Sequence, residues 1–167
     1  MNTVVVQAHP LDESFSVALL DAAVAGLAAR GIEPVVVRLS DGAALDCSAL
    51  AHVEHLVMVY PTWWGSTPAM LLGPLVDLLS PWIDGDADPG TSPLGSVERL
   101  TIVTSHGSSR FVNMLQGEPG RQLWRRTILA ICARRARCEW LALYKIDRPE
   151  SAARVHFLEH VTERLSA

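Results

Sequence analysis

Val4, Val5 and Val6 follow one another in the segment TVVVQA, Thr3–Ala8. A strand points successive side chains to opposite sides, so an unbroken apolar run cannot serve a sheet with one wet face. It must be covered above and below. EPVVVRL (Glu33–Leu39), HLVMVY (His55–Tyr60), RLTIVTS (Arg99–Ser105) and CEWLALY (Cys138–Tyr144) are similar runs. Each pair of neighbouring runs is separated by enough chain to cross over, and most of the connections carry helical spacing. Strands alternating with helices predict an α/β fold, a parallel sheet covered on both faces.

The helices follow from the spacing of apolar residues. From Ser14 to Arg30, Val17, Leu20, Val24 and Leu27 recur at helical intervals, and Gly31 is a stop signal. Ser40 to Val53 is weakly patterned and is read as holding a short helix. A further helix is expected with Thr67 as cap and Pro68 as first residue, turning Leu71, Leu75 and Leu79 inward. Pro74 inside it predicts a kink or break. Ser80–Ser96, rich in Pro, Gly and Asp, reads as irregular. Gln116–Arg135 reads as one helix with Leu123, Thr127, Ile128 and Ile131 on one face. The last helix is expected from about Pro149 to Leu165, burying Val155, Leu158, Thr162 and Leu165. No repeat and no boundary divides the chain, so residues 1–167 are expected to form a single domain.

Several function classes are excluded by composition. Of the 167 residues 49% are hydrophobic and 19% charged, which rules out disorder, and the net charge of −4 offers no coat for nucleic acid. The basic cluster from Arg121 to Arg137 reads as the solvated face of a helix. Cys47, Cys132 and Cys138 make no Cys-x-x-Cys, so no disulfide framework and no metal site is expected. No basic segment precedes a long apolar run at the N-terminus, and no uninterrupted apolar stretch is long enough to span a bilayer. No membrane span and a cytoplasmic location are therefore expected.

Open parallel sheets bind ligands beyond the carboxyl ends of their strands, where strand order reverses. After the first strand comes AHPLDESFSVALL. Amides at the next helix's N-terminus, with the hydroxyls of Ser14 and Ser16 and a donor from His9, could hold a phosphate dianion. The alternative is ordinary capping by Asp12 or Ser14. No G-x-G-x-x-G and no P-loop is present. After the third strand comes PTWWGSTPA, in which Trp63 and Trp64 offer flat π-faces beside the donors and acceptors of a tight turn. Read singly, either indole could instead cap the core or fill a subunit interface. After the fourth comes TSHGSSR, whose small residues would let a ligand approach the backbone and whose amides could stabilise negative charge on a reduced ring.

AHPLDESFSVAL, YPTWWGSTPAMLLGPLVDLL and TIVTSHGSS resemble the flavodoxin-like NAD(P)H dehydrogenase (quinone) family. Its motifs read approximately A-H-P-x-x-x-S-F-N-x-A-L, P-x-W-W-x-x-P-A-x-L-K-G-x-x-D and T-T-G-G. LYKIDRPESAARVHFLEHVTERL is also similar to the family's closing segment. The resemblance implies a flavodoxin-like three-layer sandwich with five parallel strands in the order 2-1-3-4-5. It implies a flavin whose phosphate and ribityl chain meet His9, Ser14, Phe15 and Ser16. Pro61, Thr62, Trp63 and Trp64 would line the isoalloxazine, and Thr104, Ser105, His106 and Gly107 its pyrimidine edge. A homodimer with the site at the subunit interface is implied as well. This chain departs from the pattern at Ser16 (usually Asn), Leu72 (usually Lys), Pro74 (often aromatic) and His106 (a family glycine).

The function so implied is a flavin-dependent NAD(P)H oxidoreductase, passing hydride through the flavin to a quinone or similar flat acceptor. FMN is favoured over FAD because the chain is short and no adenine site can be named. No side chain is assigned as catalytic. His106 and Arg110 are candidates to stabilise or protonate the acceptor, against a plain surface role for each. Two other classes remain open: a flavin-binding ancillary protein of a partner system, and a flavodoxin-type electron carrier.

Overall fold

The computed structural model of the chain describes residues 1–39, 45, 50, 52–85, 92–147 and 151–167. Five strands form one sheet: β1 (Thr3–Ala8), β2 (Val35–Leu39), β3 (His55–Thr62), β4 (Arg99–His106) and β5 (Arg137–Tyr144). Every pairing is parallel and the order is β2-β1-β3-β4-β5. The chain therefore reverses its direction of growth between β1 and β3, which is where a crevice opens in such sheets.

The unbroken apolar runs are explained by two cores, one on each face. Val4, Val6, Ala8, Leu56, Met58, Tyr60, Leu100 and Ile102 enter one core. Val5, Val57 and Val59, the residues between them, enter the other together with Val103. Each fully buried aliphatic side chain contributes about 1.5–3 kcal/mol of transfer free energy, so central strands with no wet face are the main source of cohesion. The edge strand β2 is different, with Val35 and Val36 exposed.

Helix α1 (Phe15–Ala29) and helix α5 (Ser151–Ser166) cover the second core. They meet at Gly26, where a Cβ would stand 2.6 Å from the Thr162 carbonyl oxygen and 2.9 Å from Leu165 Cβ. The Thr162 hydroxyl reaches across to the Ala22 carbonyl at 3.1 Å. In α5 the buried stripe is Phe157, Val161 and Leu165, while Val155 is exposed. Of the expected inner face, Leu165 is fully buried, Leu158 packs half-buried on the same core and Thr162 faces α1, while Val155 points to solvent. Phe157 and Val161 widen the buried face to include an aromatic ring. The expected start at Pro149 lies outside the described residues, as do Cys47 and most of the weakly patterned stretch 40–53.

Helix α2 (Ala69–Ile83) lies over the first core and buries Leu71, Leu75, Leu78 and Leu79. It runs unbroken through Pro74 and takes in Pro81, so no break occurs and Ser80–Ile83 are helical rather than irregular. Pro68, not Thr67, occupies the N-cap position. Thr67 is buried because its hydroxyl is used elsewhere: it accepts from Trp124 Nε1 at 3.0 Å and donates to the Tyr60 hydroxyl at 3.4 Å.

The segment expected as one helix over Gln116–Arg135 is in pieces. Helix α3 (Arg110–Leu115) ends at Gly117 and Glu118, which take φ of 80° and 46°. A short helix α4 (Pro119–Gln122) follows, then a π-helical segment Leu123–Ile128 and a 3₁₀ turn Leu129–Ile131. The wider π turn changes which residues face inward. Trp124 and Ile128 are buried and Thr127 is exposed. Arg134, Arg135 and Arg137 then stand beyond the helix, on the turn into β5 and on its first residue, not on a helical face.

Candidate functional site

Beyond the carboxyl ends of β3 and β4 the chain encloses a cavity of about 490 Å³. Pro61 and Thr62 at the end of β3, the turn Trp63–Gly65, Ser105 and His106 at the end of β4, and Gly107 all line it. Loops after two different strands are thus brought to one place, as the sequence pattern implies.

The indole turn has a specific geometry. Trp63 N–H donates to the Ser66 carbonyl at 3.1 Å and Ser66 N–H returns the bond to Trp63 at 2.9 Å. Between them Trp64 and Gly65 have φ of 52° and 75°. Two central residues with positive φ describe a type I′ turn, a geometry that favours Asn-Gly. A bulky residue in the left-handed region is strained by about 1–2 kcal/mol, and Trp64 recovers nothing from burial, being 102% exposed. Strain at an observed backbone outlier points toward function. From behind, the turn is braced by Gly120, whose absent Cβ would lie 3.2 Å from Ser66 Cα.

His106 ends β4 with a backbone outside the left-handed region, paired with Thr62 on one side and Tyr144 on the other. A side chain at this family glycine position therefore meets no left-handed strain. Its ring stacks on Tyr144 with centroids 4.7 Å apart and 15° between planes. Nε2 lies 3.4 Å from Thr62 Oγ1, which is itself 2.8 Å from Thr104 Oγ1. Nδ1 is buried with no hydrogen-bond partner among the described residues. Burial pushes the imidazole below its usual pKa, so it is neutral at pH 7. Thr104, fully buried and bonded to Thr62, supports the site from behind and does not line the cavity.

The loop after β1 stands beside this cavity rather than within its lining. His9 meets Trp63 edge-on, with centroids 6.2 Å apart. Leu11 N–H donates to His9 Nδ1 at 3.0 Å. The same nitrogen lies 3.3 Å from the Leu11 carbonyl, so the ring is tethered to its loop through Nδ1 and Nε2 takes no part in that tether. Ser14 is the N-cap residue of α1, yet its hydroxyl makes no capping bond and Oγ is buried without a partner among the described residues. Ordinary capping by Ser14 is therefore not what the hydroxyl does. Phe15 and Ser16 open the helix, where N–H groups have no intrahelical acceptor. Ser16 is buried and its hydroxyl is 3.5 Å from Gln7 Nε2, turned toward the sheet.

Sequence reasoning missed much of the far wall. Ser108, Asn113, Gln116, Ile146 and Asp147 also line the cavity. Asn113 is buried and donates to Ser108 Oγ at 2.7 Å and to the Ser109 carbonyl at 2.9 Å, fixing the loop after β4. Lys145 turns the chain after β5 with φ of 62°, and Asp147 comes to rest over Gly107. A Cβ on Gly107 would stand 2.6 Å from Asp147 Oδ2, so the carboxylate can lie over this residue in its present position only because it is glycine. The signal available in sequence was that lone glycine. Arg110 does not reach the site; it lines a separate cavity of about 310 Å³ with Trp140, Tyr144 and Phe157.

A family model described as "Flavodoxin-like fold" matches residues 1–153. No curated protein sequence matches the chain significantly. Among solved structures, Smu.1420 from Streptococcus mutans UA159 superposes with a TM-score of 0.79 at 17% identity, covering 99% of both chains. The NAD(P)H:quinone oxidoreductase from Methanothermobacter marburgensis gives 0.79 at 21% identity, covering 99% of this chain and 94% of that one. An FMN-dependent NADH-azoreductase from Bacillus anthracis, in complex with FMN, gives 0.72 at 11% identity, covering 99% and 98%. Among the described residues no helix is long and apolar enough to cross a membrane.

Proposed function

The chain belongs to the flavodoxin-like fold family, and on that premise we propose that it is a flavin-dependent NAD(P)H oxidoreductase. FMN is the cofactor, a quinone or similar flat molecule the acceptor, and the cytoplasm the location. When bound, FMN supplies the hydride-transfer chemistry, and the protein supplies position, stacking surface and electrostatics.

The residues present fit that group. The unpartnered Ser14 hydroxyl, the His9 ring and the first amides of α1 make a cradle for a phosphate dianion. Phe15 and Ser16 contribute through their backbone. Pro61, Thr62, Trp63 and Trp64 provide the wall for the ring system. Ser105, His106 and Gly107 lie where the polar edge of the ring would sit, with the neutral His106 imidazole as part of that wall. Thr62 holds the orientation of that imidazole, and Asn113 holds the loop next to it. The observation that carries the reading is Trp64, an indole wholly exposed and held in an unfavourable backbone conformation at the cavity's rim.

The functional unit in this reading is a homodimer. Phe111, Met114 and Leu115 on α3 are exposed apolar side chains, on the helix that also bears Asn113 of the cavity wall. A second copy seated there would cover them.

The test is NAD(P)H oxidation by FMN-loaded protein with and without menadione. The expected result is turnover that depends on the quinone. Loaded protein that consumes reduced nicotinamide no faster with menadione than without it contradicts the assignment.

A further inference from the structure

A second cavity, larger than the one at the indole turn, is found elsewhere in the fold. It lies at the opposite end of the sheet, where β4 and β5 begin, and measures about 980 Å³. From Leu100 in its lining to His106 is six residues of strand, about 20 Å at 3.3 Å per residue. We propose that this cavity is a second ligand site, built for a nucleotide-sized anion carrying two or more phosphates.

Charge makes the first argument. Arg99, Arg134, Arg135, Arg137 and Arg164 line the cavity against only Glu98 and Glu139, in a chain whose net charge is −4. Arg164 is committed to Glu139, which takes bonds from both Nε and Nη2. The other four guanidiniums form no ion pair among the described residues. Guanidinium presents a planar fork that matches phosphate oxygens in pairs, and several forks around one hollow select for more than one phosphate.

The second argument is rigidity. Arg134 and Arg135 stand on a tight turn closed by Ala136 N–H on the Ala133 carbonyl at 2.7 Å. The turn is pinned to the start of β4 twice, by Ala133 N–H on Val97 and Arg137 N–H on Glu98, each at 3.0 Å. The backbone under the arginines is thus fixed before any ligand arrives, which lowers the ordering cost of binding.

Shape and floor narrow the ligand. A bare phosphate would fill a small part of this volume. Ala133 and Cys138, both half-buried, give the hollow an apolar component, and the thiol is pushed up to about 11 by burial, so it places no negative charge against an anion. An apolar floor beneath a cationic rim fits a ligand with a flat weakly polar portion and a polyphosphate tail, the chemistry of a nucleoside di- or triphosphate. Nucleic acid fits less well, because the charge is gathered at one hollow rather than drawn out as a stripe.

The experiment uses pyrophosphate and ADP as probes on the full chain, followed by calorimetry and by backbone amide shifts. Shifts are expected at Leu100, Ala133, Cys138 and Glu139, with binding weakened at least tenfold in the double variant Arg134→Ala/Arg137→Ala. Both side chains are exposed, so the variant keeps its fold, which its dispersed amide spectrum checks. Arg38→Ala, an exposed arginine on edge strand β2, should bind like the parent. Shifts confined to Phe15 and Ser16 would mean that the probes enter only the phosphate cradle of α1, and the proposal fails. It fails equally if the double variant binds unchanged, or if sulfate at matched ionic strength reproduces the whole response.

Discussion

Replacing Trp64 by Asn separates what the residue costs the fold from what it does for a ligand. Trp64 holds φ of 52° at the first central position of a type I′ turn followed by Gly65 at 75°. Asn tolerates that region and Asn-Gly is the pair the turn prefers. Relief of left-handed strain is worth about 1 kcal/mol, and no burial is lost in exchange because the indole is fully exposed. For a chain of this size, about 1 kcal/mol raises the melting temperature by about 2–4 °C. Cofactor affinity should move the other way. Losing one stacked aromatic face removes about 0.5–1.5 kcal/mol beyond area burial, so FMN should bind up to roughly tenfold more weakly. Thermal melts of cofactor-free protein give the first quantity and quenching of FMN fluorescence the second. Opposite signs are the diagnostic outcome, because a variant that merely damaged the fold would lower both. A variant that melts below the parent refutes the strain assignment; one that binds FMN as tightly refutes the role of the indole.

Gly26→Ala should destabilise the chain by about 1–3 kcal/mol through overpacking, because the new Cβ meets the backbone oxygen of Thr162 at 2.6 Å; urea unfolding measures it, and an unchanged midpoint would mean that α1 and α5 are not in that contact. His55 is fully buried with Nε2 2.9 Å from Thr101 Oγ1, and burial, helped by Arg99 and Arg30, lowers its pKa to about 4. The unfolded chain takes up that proton near pH 6.5 and the folded chain does not, so stability is complete above that pH and is lost as pH falls toward 4. The loss is on the order of 3 kcal/mol; His55→Gln should flatten this part of the urea-midpoint profile, and a parental slope in the variant would assign the acid sensitivity elsewhere. Leu115 is 70% exposed, so Leu115→Glu should leave the monomer folded while shifting sedimentation from dimer to monomer; a parent that already sediments as a monomer removes the dimer from the account.

The sheet was legible because the central strands leave a signature no other element shares. Val4-Val5-Val6 and Leu56 to Tyr60 are apolar at every position, since alternate residues feed separate cores. The helical segments were less legible at the edges of their buried faces. In α5 Leu158, Thr162 and Leu165 face inward as spaced, but Phe157 and Val161 widen that face and Val155 points to solvent. Periodicity also assumes 3.6 residues per turn, which the π segment Leu123–Ile128 does not obey, so Trp124 replaced Thr127 on the buried side. At the site, the Trp63–Trp64 pair and Ser14 announced themselves locally. Asn113 and Asp147 did not, for they reach the cavity through a short helix and a turn after β5 that become neighbours only in the folded chain. The arginines of 134–137 looked like a helix surface until the helix was found to end at Ile131.

The central claim is that the loops after β1, β3 and β4 together grip one FMN per chain. Titration of the purified protein with FMN, read by visible absorbance and followed by mass analysis of the released species, tests it most directly. The expected result is a yellow protein with one FMN per chain, and loss of that colour in Trp63→Ala/Trp64→Ala with the fold intact. A well-folded parent that stays colourless in excess FMN, or a double variant that retains a full complement, contradicts it.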